Sequence, residues 1–101
     1  MELRVADNPG KARYEIKAGG EIAGFVTYKL SPDDIAFLHT ETDERFRGKG
    51  IAAYLVQASL DSARERGLAV LPYCPYVRRW ISEHLDYAKL VPEQARAEFG
   101  L

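Results

Sequence analysis

Cysteine is nearly absent: Cys74 is the only one in 101 residues. An internal disulfide is therefore impossible, and nothing points to an oxidising compartment. An excess of either charge is also lacking, with 14 basic against 15 acidic residues and a formal net charge of −1. A general nucleic-acid binder carries a basic excess, so no nucleic-acid partner is expected, although a local basic patch stands at residues 45–49. No apolar run approaches the ~20 residues of a membrane span. Met1-Glu2-Leu3-Arg4 opens no apolar signal core. These absences lead to the expectation of a soluble cytoplasmic protein that does not engage membranes. Two histidines and one cysteine at scattered spacing make no ligand set, so no metal is expected. Repeats, low-complexity stretches and linkers are missing as well. One small domain over residues 1–92 is expected, followed by a polar tail, 93–101, that is frayed or weakly docked.

At 47% apolar, the chain can bury a core of modest size. Its first 40 residues read as strands. Ala12–Ala18 is bounded by Pro9-Gly10 and Gly19-Gly20, and Gly19-Gly20 signals a hairpin into Glu21–Leu30. Ser31-Pro32-Asp33-Asp34 is a turn with proline at its second position. Ile35–Thr42 is a further strand, with Ile35 and Phe37 on one face and His39 a candidate for it, and Leu3–Asp7 adds an edge strand.

The period then changes. From Gly50 to Arg66, Ile51, Leu55, Ser59 and Ser62 recur at helical spacing, and Gly67 is placed to end the helix. Leu68–Leu71 is a short apolar strand stopped by Pro72. A second helix opens at Pro75, a tolerated first position, and carries Val77, Trp80, Ile81 and Leu85. The order is β-β-β-β-α-β-α. The turns make the first strands antiparallel, and the strand-helix-strand unit a parallel crossover.

Arg45-Phe46-Arg47-Gly48-Lys49-Gly50-Ile51-Ala52 is the most informative run. Glycines let the backbone turn tightly and approach a ligand. The helix that follows offers unpaired N–H groups and the positive end of its dipole. Arg45, Arg47 and Lys49 add cations. This segment is an anion-binding loop suited to a pyrophosphate.

Together with His39-Thr40-Glu41 before it and Pro72-x-Cys74-x-Tyr76-Val77 after it, the loop resembles the GCN5-related N-acetyltransferase (GNAT) superfamily, most closely its very small single-domain members. The likeness covers roughly residues 10 to 91. It implies an α/β (α+β) fold with a mixed, mainly antiparallel sheet and two main helices. It also implies acetyl-CoA, or CoA, as co-substrate. The loop amides of Arg45, Phe46, Arg47, Gly48, Lys49, Gly50, Ile51 and Ala52 would bind the CoA pyrophosphate. The strand Phe37–Thr42 would pair with the pantetheine arm, involving Leu38, Thr40 and Thr42. Tyr76 and Arg79 are further candidates on the CoA side.

Acetyl transfer to an amine needs a base, a stabilised oxyanion and a leaving thiolate. His39 and Glu41 lie two apart on a strand, point to the same face, and are candidate bases. A backbone N–H around Leu38–Thr40 would serve the oxyanion. Cys74 precedes the helix at Pro75, where the dipole and Arg78 or Arg79 favour the thiolate. It is open to a role as acetyl acceptor, as base, as channel wall or as an inert buried residue. Tyr28 and Tyr73 are placed to line the cleft by position alone. Typical superfamily members carry helices between their first two strands, where this chain has only Asn8-Pro9-Gly10. An open acceptor side follows, fitting a protein or peptide amine, or a wall supplied by a partner. The chain is expected as a monomer or homodimer. The alternative is a non-catalytic CoA-binding or interaction module, with an anion- or RNA-binding domain as a weaker third.

Overall fold

Five strands form one sheet in the order of the chain: β1 (Leu3–Asn8), β2 (Arg13–Ala18), β3 (Glu21–Leu30), β4 (Asp34–Thr42) and β5 (Ala69–Pro72). They belong to a computed structural model that describes residues 2–101. The first four strands are antiparallel, and β5 joins β4 in parallel after α1 (Ile51–Glu65). α2 (Pro75–Ser82) follows β5. The mixed, mainly antiparallel α+β architecture expected from the sequence is the one observed. Ala18 and Glu21 pair across Gly19-Gly20, as the hairpin signal required.

The core lies between the sheet and the helices. Tyr14, Ile16, Val26, Tyr28, Ile35 and Phe37 alternate along β2, β3 and β4 and are buried, as are Leu55, Val56, Ser59 and Leu60 of α1. Val77 of α2 closes this layer against Val26, Phe37 and Val56. Burying tyrosines leaves hydroxyls to satisfy. Tyr14 Oη pairs with Ser62 Oγ at 2.7 Å and accepts from Arg66 Nη1 at 3.0 Å, and Tyr28 Oη donates to Asp7 Oδ1 at 2.6 Å. Among the described residues no buried side-chain polar atom lacks a partner. The opposite sheet face carries Arg13, Glu15, Phe25 and Thr27 and is covered by neither α1 nor α2. Only a three-residue 3₁₀ turn, Pro9–Lys11, and Ala12 after it connect β1 to β2.

Two expectations need correction, and of the tail's two alternatives one is selected. α2 ends at Ser82: the Glu83 amide turns back to the Arg79 and Trp80 carbonyls, and Leu85, expected on that helix, is exposed in a 3₁₀ segment. The tail is docked rather than frayed. Phe99 is buried with its ring centroid 5.1 Å from that of Tyr73, and the Arg96 Nε donates to the Val91 carbonyl. One aromatic burial outweighs the polarity of its neighbours. Finally, His39 does not share the buried face of Phe37. Thr27 pairs with His39 and Tyr28 with Phe37, so Leu38 is an extra residue in β4. Such a bulge shifts the alternation by one and turns His39 outward.

Candidate active site

Beyond Phe37 the sheet opens. β5 pairs with β4 only from Asp34 to Phe37, whereas β3 follows β4 on to Thr42. The Cys74 amide donates to the Phe37 carbonyl at 2.8 Å, and α2 then leads the chain away. From Leu38 to Thr42, β4 therefore has a strand partner on one side only. Backbone groups on the other edge are free to pair with an extended amide-bearing ligand.

That edge forms one wall of a cleft of about 700 Å³. His39, Thr40, Glu41 and Thr42 line it from β4; Phe46, Arg47, Gly48 and Gly50 from the loop; Ile51, Ala52 and Ala53 from α1; and Tyr76 from α2. Asp43 starts the loop by accepting the Arg45 amide at 2.9 Å. Phe46 is buried and anchors the loop to the core. Gly48 and Gly50 have φ of 79° and 73°, conformations that a side chain disfavours. Gly50 is the N-cap of α1 and offers no side-chain cap, so the first-turn amides have no partner inside the helix. Uncapped amides, the helix dipole and Arg47 converge on the cleft. Donors and a cation so arranged suit an anion.

Other expected residues are placed elsewhere. Arg45 is not in the cleft lining: it is held by Asp43, Nη2 to Oδ2 at 3.2 Å, and by Glu21, Nη1 to Oε1 at 3.3 Å. Hydrogen bonds from the Arg45 side chain and amide hold the Asp43 carboxyl below its usual range. Lys49 is exposed on the loop and Leu38 stands half exposed at the bulge, both outside the cleft lining. Arg79 pairs loosely with Glu83 at 3.8 Å in a neighbouring depression that shares only Tyr76 with the cleft. Tyr28 is in the core and Tyr73 packs on Phe99, so neither lines it.

His39 and Glu41 do project together, with Nε2 3.7 Å from Oε1 and both side chains more than half exposed. Cys74 is buried behind the wall, its Sγ 3.3 Å from Thr40 Oγ1. Burial pushes the Tyr76 phenol up, Glu83 adds to the shift and Arg79 opposes it. Gly24 was not singled out by the motifs. A Cβ there would lie 2.6 Å from the Glu41 carbonyl oxygen, so glycine is what lets β3 approach β4 beside the site. A glycine inside a strand pattern is itself the signal for such an approach. Among the described residues no group of three or more metal-ligating side chains is found.

The family model described as GCN5-related N-acetyl-transferase matches residues 13–90. Protein NATD1 of Xenopus tropicalis is 37% identical over 84 residues, which are 81% of this chain and 77% of that protein. A ribosomal-protein-alanine N-acetyltransferase from Brucella melitensis biovar Abortus 2308 superposes with a TM-score of 0.55 at 26% identity, over 62% of this chain. The chain spans 49% of that enzyme's length. A GCN5-like protein from Staphylococcus aureus, solved by NMR, superposes with a TM-score of 0.67 at 18% identity, over 89% of this chain and 88% of its own. That last likeness speaks to the fold alone.

Proposed function

This chain belongs to the GCN5-related N-acetyltransferase family, and on that footing we propose that it moves the acetyl group of acetyl-CoA to an amine acceptor. The observation that carries the reading is the one-sided edge of β4 from Leu38 to Thr42, running into the uncapped first turn of α1. An extended chain of amides ending in a pyrophosphate fits that sequence of donors.

Acetyl-CoA, when bound, supplies an acetyl group activated as a thioester. Arg47 and the amides of Gly50–Ala53 hold the diphosphate end. The free edge of β4 orients the amide arm, and an N–H in the bulged stretch Leu38–Thr40 donates to the carbonyl oxygen as charge develops there. Glu41, with His39 beside it, accepts the proton that an ammonium must lose before its nitrogen becomes nucleophilic. Tyr76, a phenol that is protonated at neutral pH and whose pKa burial pushes further up, donates its proton to the departing sulfur. Cys74, buried behind Thr40, shapes the wall, so transfer is direct.

Calorimetric titration with acetyl-CoA and CoA, with ATP as a phosphate control, tests this reading. Saturable binding of the CoA species, much tighter than ATP, is expected. No binding, or equal binding of ATP, would leave residues 45–52 a general anion loop and end the acetyltransferase reading. CoA binding without turnover of any amine would favour the non-catalytic module.

A further inference from the structure

Two carboxylates, Glu21 and Asp43, flank the start of a loop that suits an anion. By charge alone they oppose such a ligand. Both are bound instead to Arg45, whose guanidinium nitrogens and amide are all engaged. Its Nε donates to Asp43 Oδ1 at 3.2 Å, its Nη2 to Asp43 Oδ2 at 3.2 Å and its Nη1 to Glu21 Oε1 at 3.3 Å. Its amide donates to Asp43 Oδ1 at 2.9 Å.

This cluster joins segments far apart in the chain. Glu21 opens β3 and pairs with Ala18 across the Gly19-Gly20 hairpin. Asp43 follows β4, and its amide donates to the Ala23 carbonyl at 2.7 Å. The Arg45 guanidinium also lies 5.3 Å from the centre of the ring of Phe46, the buried anchor of the loop. Residues 43–46 are thus fixed to the sheet from more than one direction. The next stretch is not. Among the described residues, the amides of Gly48, Lys49 and Gly50 donate to no backbone carbonyl. Glycine also has more backbone freedom to lose than any other residue. The direction of these amides is therefore set by the two ends that hold them. One end is α1, and the other is the Glu21–Arg45–Asp43 cluster.

We propose that Arg45 is a positioning residue: a strut, braced on the β2–β3 hairpin by Glu21, that sets the Gly48–Ala53 amides before the anion arrives. Neither Arg45 nor Glu21 lines the cleft, and Arg47 is the loop arginine that does. A loop ordered in advance removes an ordering cost from binding. The assignment rests on the CoA reading above and names what orders the loop in it.

Calorimetric titration with CoA at about 0.15 M salt, where surface charges are screened beyond ~8 Å, compares the parent protein with Glu21→Gln and Arg45→Lys. Both variants keep or increase the positive charge near the loop. If Arg45 itself held a phosphate, either variant would bind CoA nearly as well or better. The strut predicts the opposite sign. A glutamine carries no charge to brace the guanidinium, and a lysine ammonium has no planar fork to span two carboxylates. Each variant should weaken CoA binding about threefold, the scale of one exposed ion pair. In the ligand-free ¹⁵N-labelled chain, the backbone order parameters of Gly48 and Gly50 should fall while those of β2, β3 and β4 hold. Unchanged or tighter CoA binding in Glu21→Gln would overturn the strut. So would unchanged order at Gly48 and Gly50, or a loss of order spread equally through the sheet. A parent protein that binds no CoA, with Gly48 and Gly50 loosened in both variants, would overturn the transfer reading and leave the strut standing.

Discussion

The Cys74 amide donates to the Phe37 carbonyl at 2.8 Å, just beyond the last β4–β5 pair. One bond before it the two strands are neighbours, and one residue after it β4 has an open edge. The cleft exists because the chain leaves the sheet at that point. Pro72 ends β5 and Pro75 starts α2, neither having an amide to extend the ladder.

Cys74 itself should matter little to turnover. Its amide does the joining and any residue but proline has one. Cys74→Ala should change turnover by less than about threefold and cost about 1 kcal/mol of stability, the scale of a small buried truncation. Steady-state rates and urea unfolding read the two effects. Intact mass spectrometry after exposure to acetyl-CoA should find no acetyl adduct; an adduct at Cys74 would overturn direct transfer.

Tyr76→Phe should separate binding from chemistry. The phenol lines the cleft and keeps its proton, so losing it should lower kcat by about a hundredfold, the lower end for a general acid. The Kd for acetyl-CoA should hardly move. An unchanged kcat would remove Tyr76 from the proton path.

Gly24 and Gly50 should fail in different ways. A Cβ at position 24 meets the Glu41 carbonyl at 2.6 Å, so Gly24→Ala forces β3 and β4 apart and should cost about 1–3 kcal/mol. A Cβ at position 50 meets nothing within 4 Å, and only its φ of 73° is strained. Gly50→Ala should cost about 1–2 kcal/mol and weaken CoA binding beyond that loss, because the loop amides must turn away. Paired denaturation and calorimetry distinguish them.

Glu15 should give the protein an acid limb. Burial raises its pKa, but the Arg13 and Asn8 hydrogen bonds outweigh burial and hold it below the ordinary value of 4.5. A depressed folded pKa contributes stability that is fully present above 4.5 and lost as pH falls through the folded value. Tm should therefore drop more steeply with acid in the parent than in Glu15→Gln. Parallel curves would sink the idea.

Much of this protein is legible in its residues. Gly19-Gly20, the strand patterns around it and the 3.6-residue period after Gly50 are local signals, and local sterics and burial suffice to make them strands, a turn and a helix. The Arg-x-x-Gly-x-Gly segment likewise states its own backbone demands. Other matters are pairings between distant segments, which no local pattern contains. Arg45 belongs to the loop's cations by sequence, but Glu21, 24 positions earlier, shares it with Asp43. By two-residue alternation His39 falls on one face with Ile35 and Phe37. One extra residue in β4, visible only against the register of β3, sends it to the open face with Glu41. The tail reads as polar from Glu93, Gln94, Arg96 and Glu98, and nothing local shows that Phe99 has an aromatic partner in Tyr73. Sequence determined which elements form and where the glycine loop turns into α1. Tertiary structure decided which charges remain unspent and which face they occupy, because neutralisation and strand register are set through space.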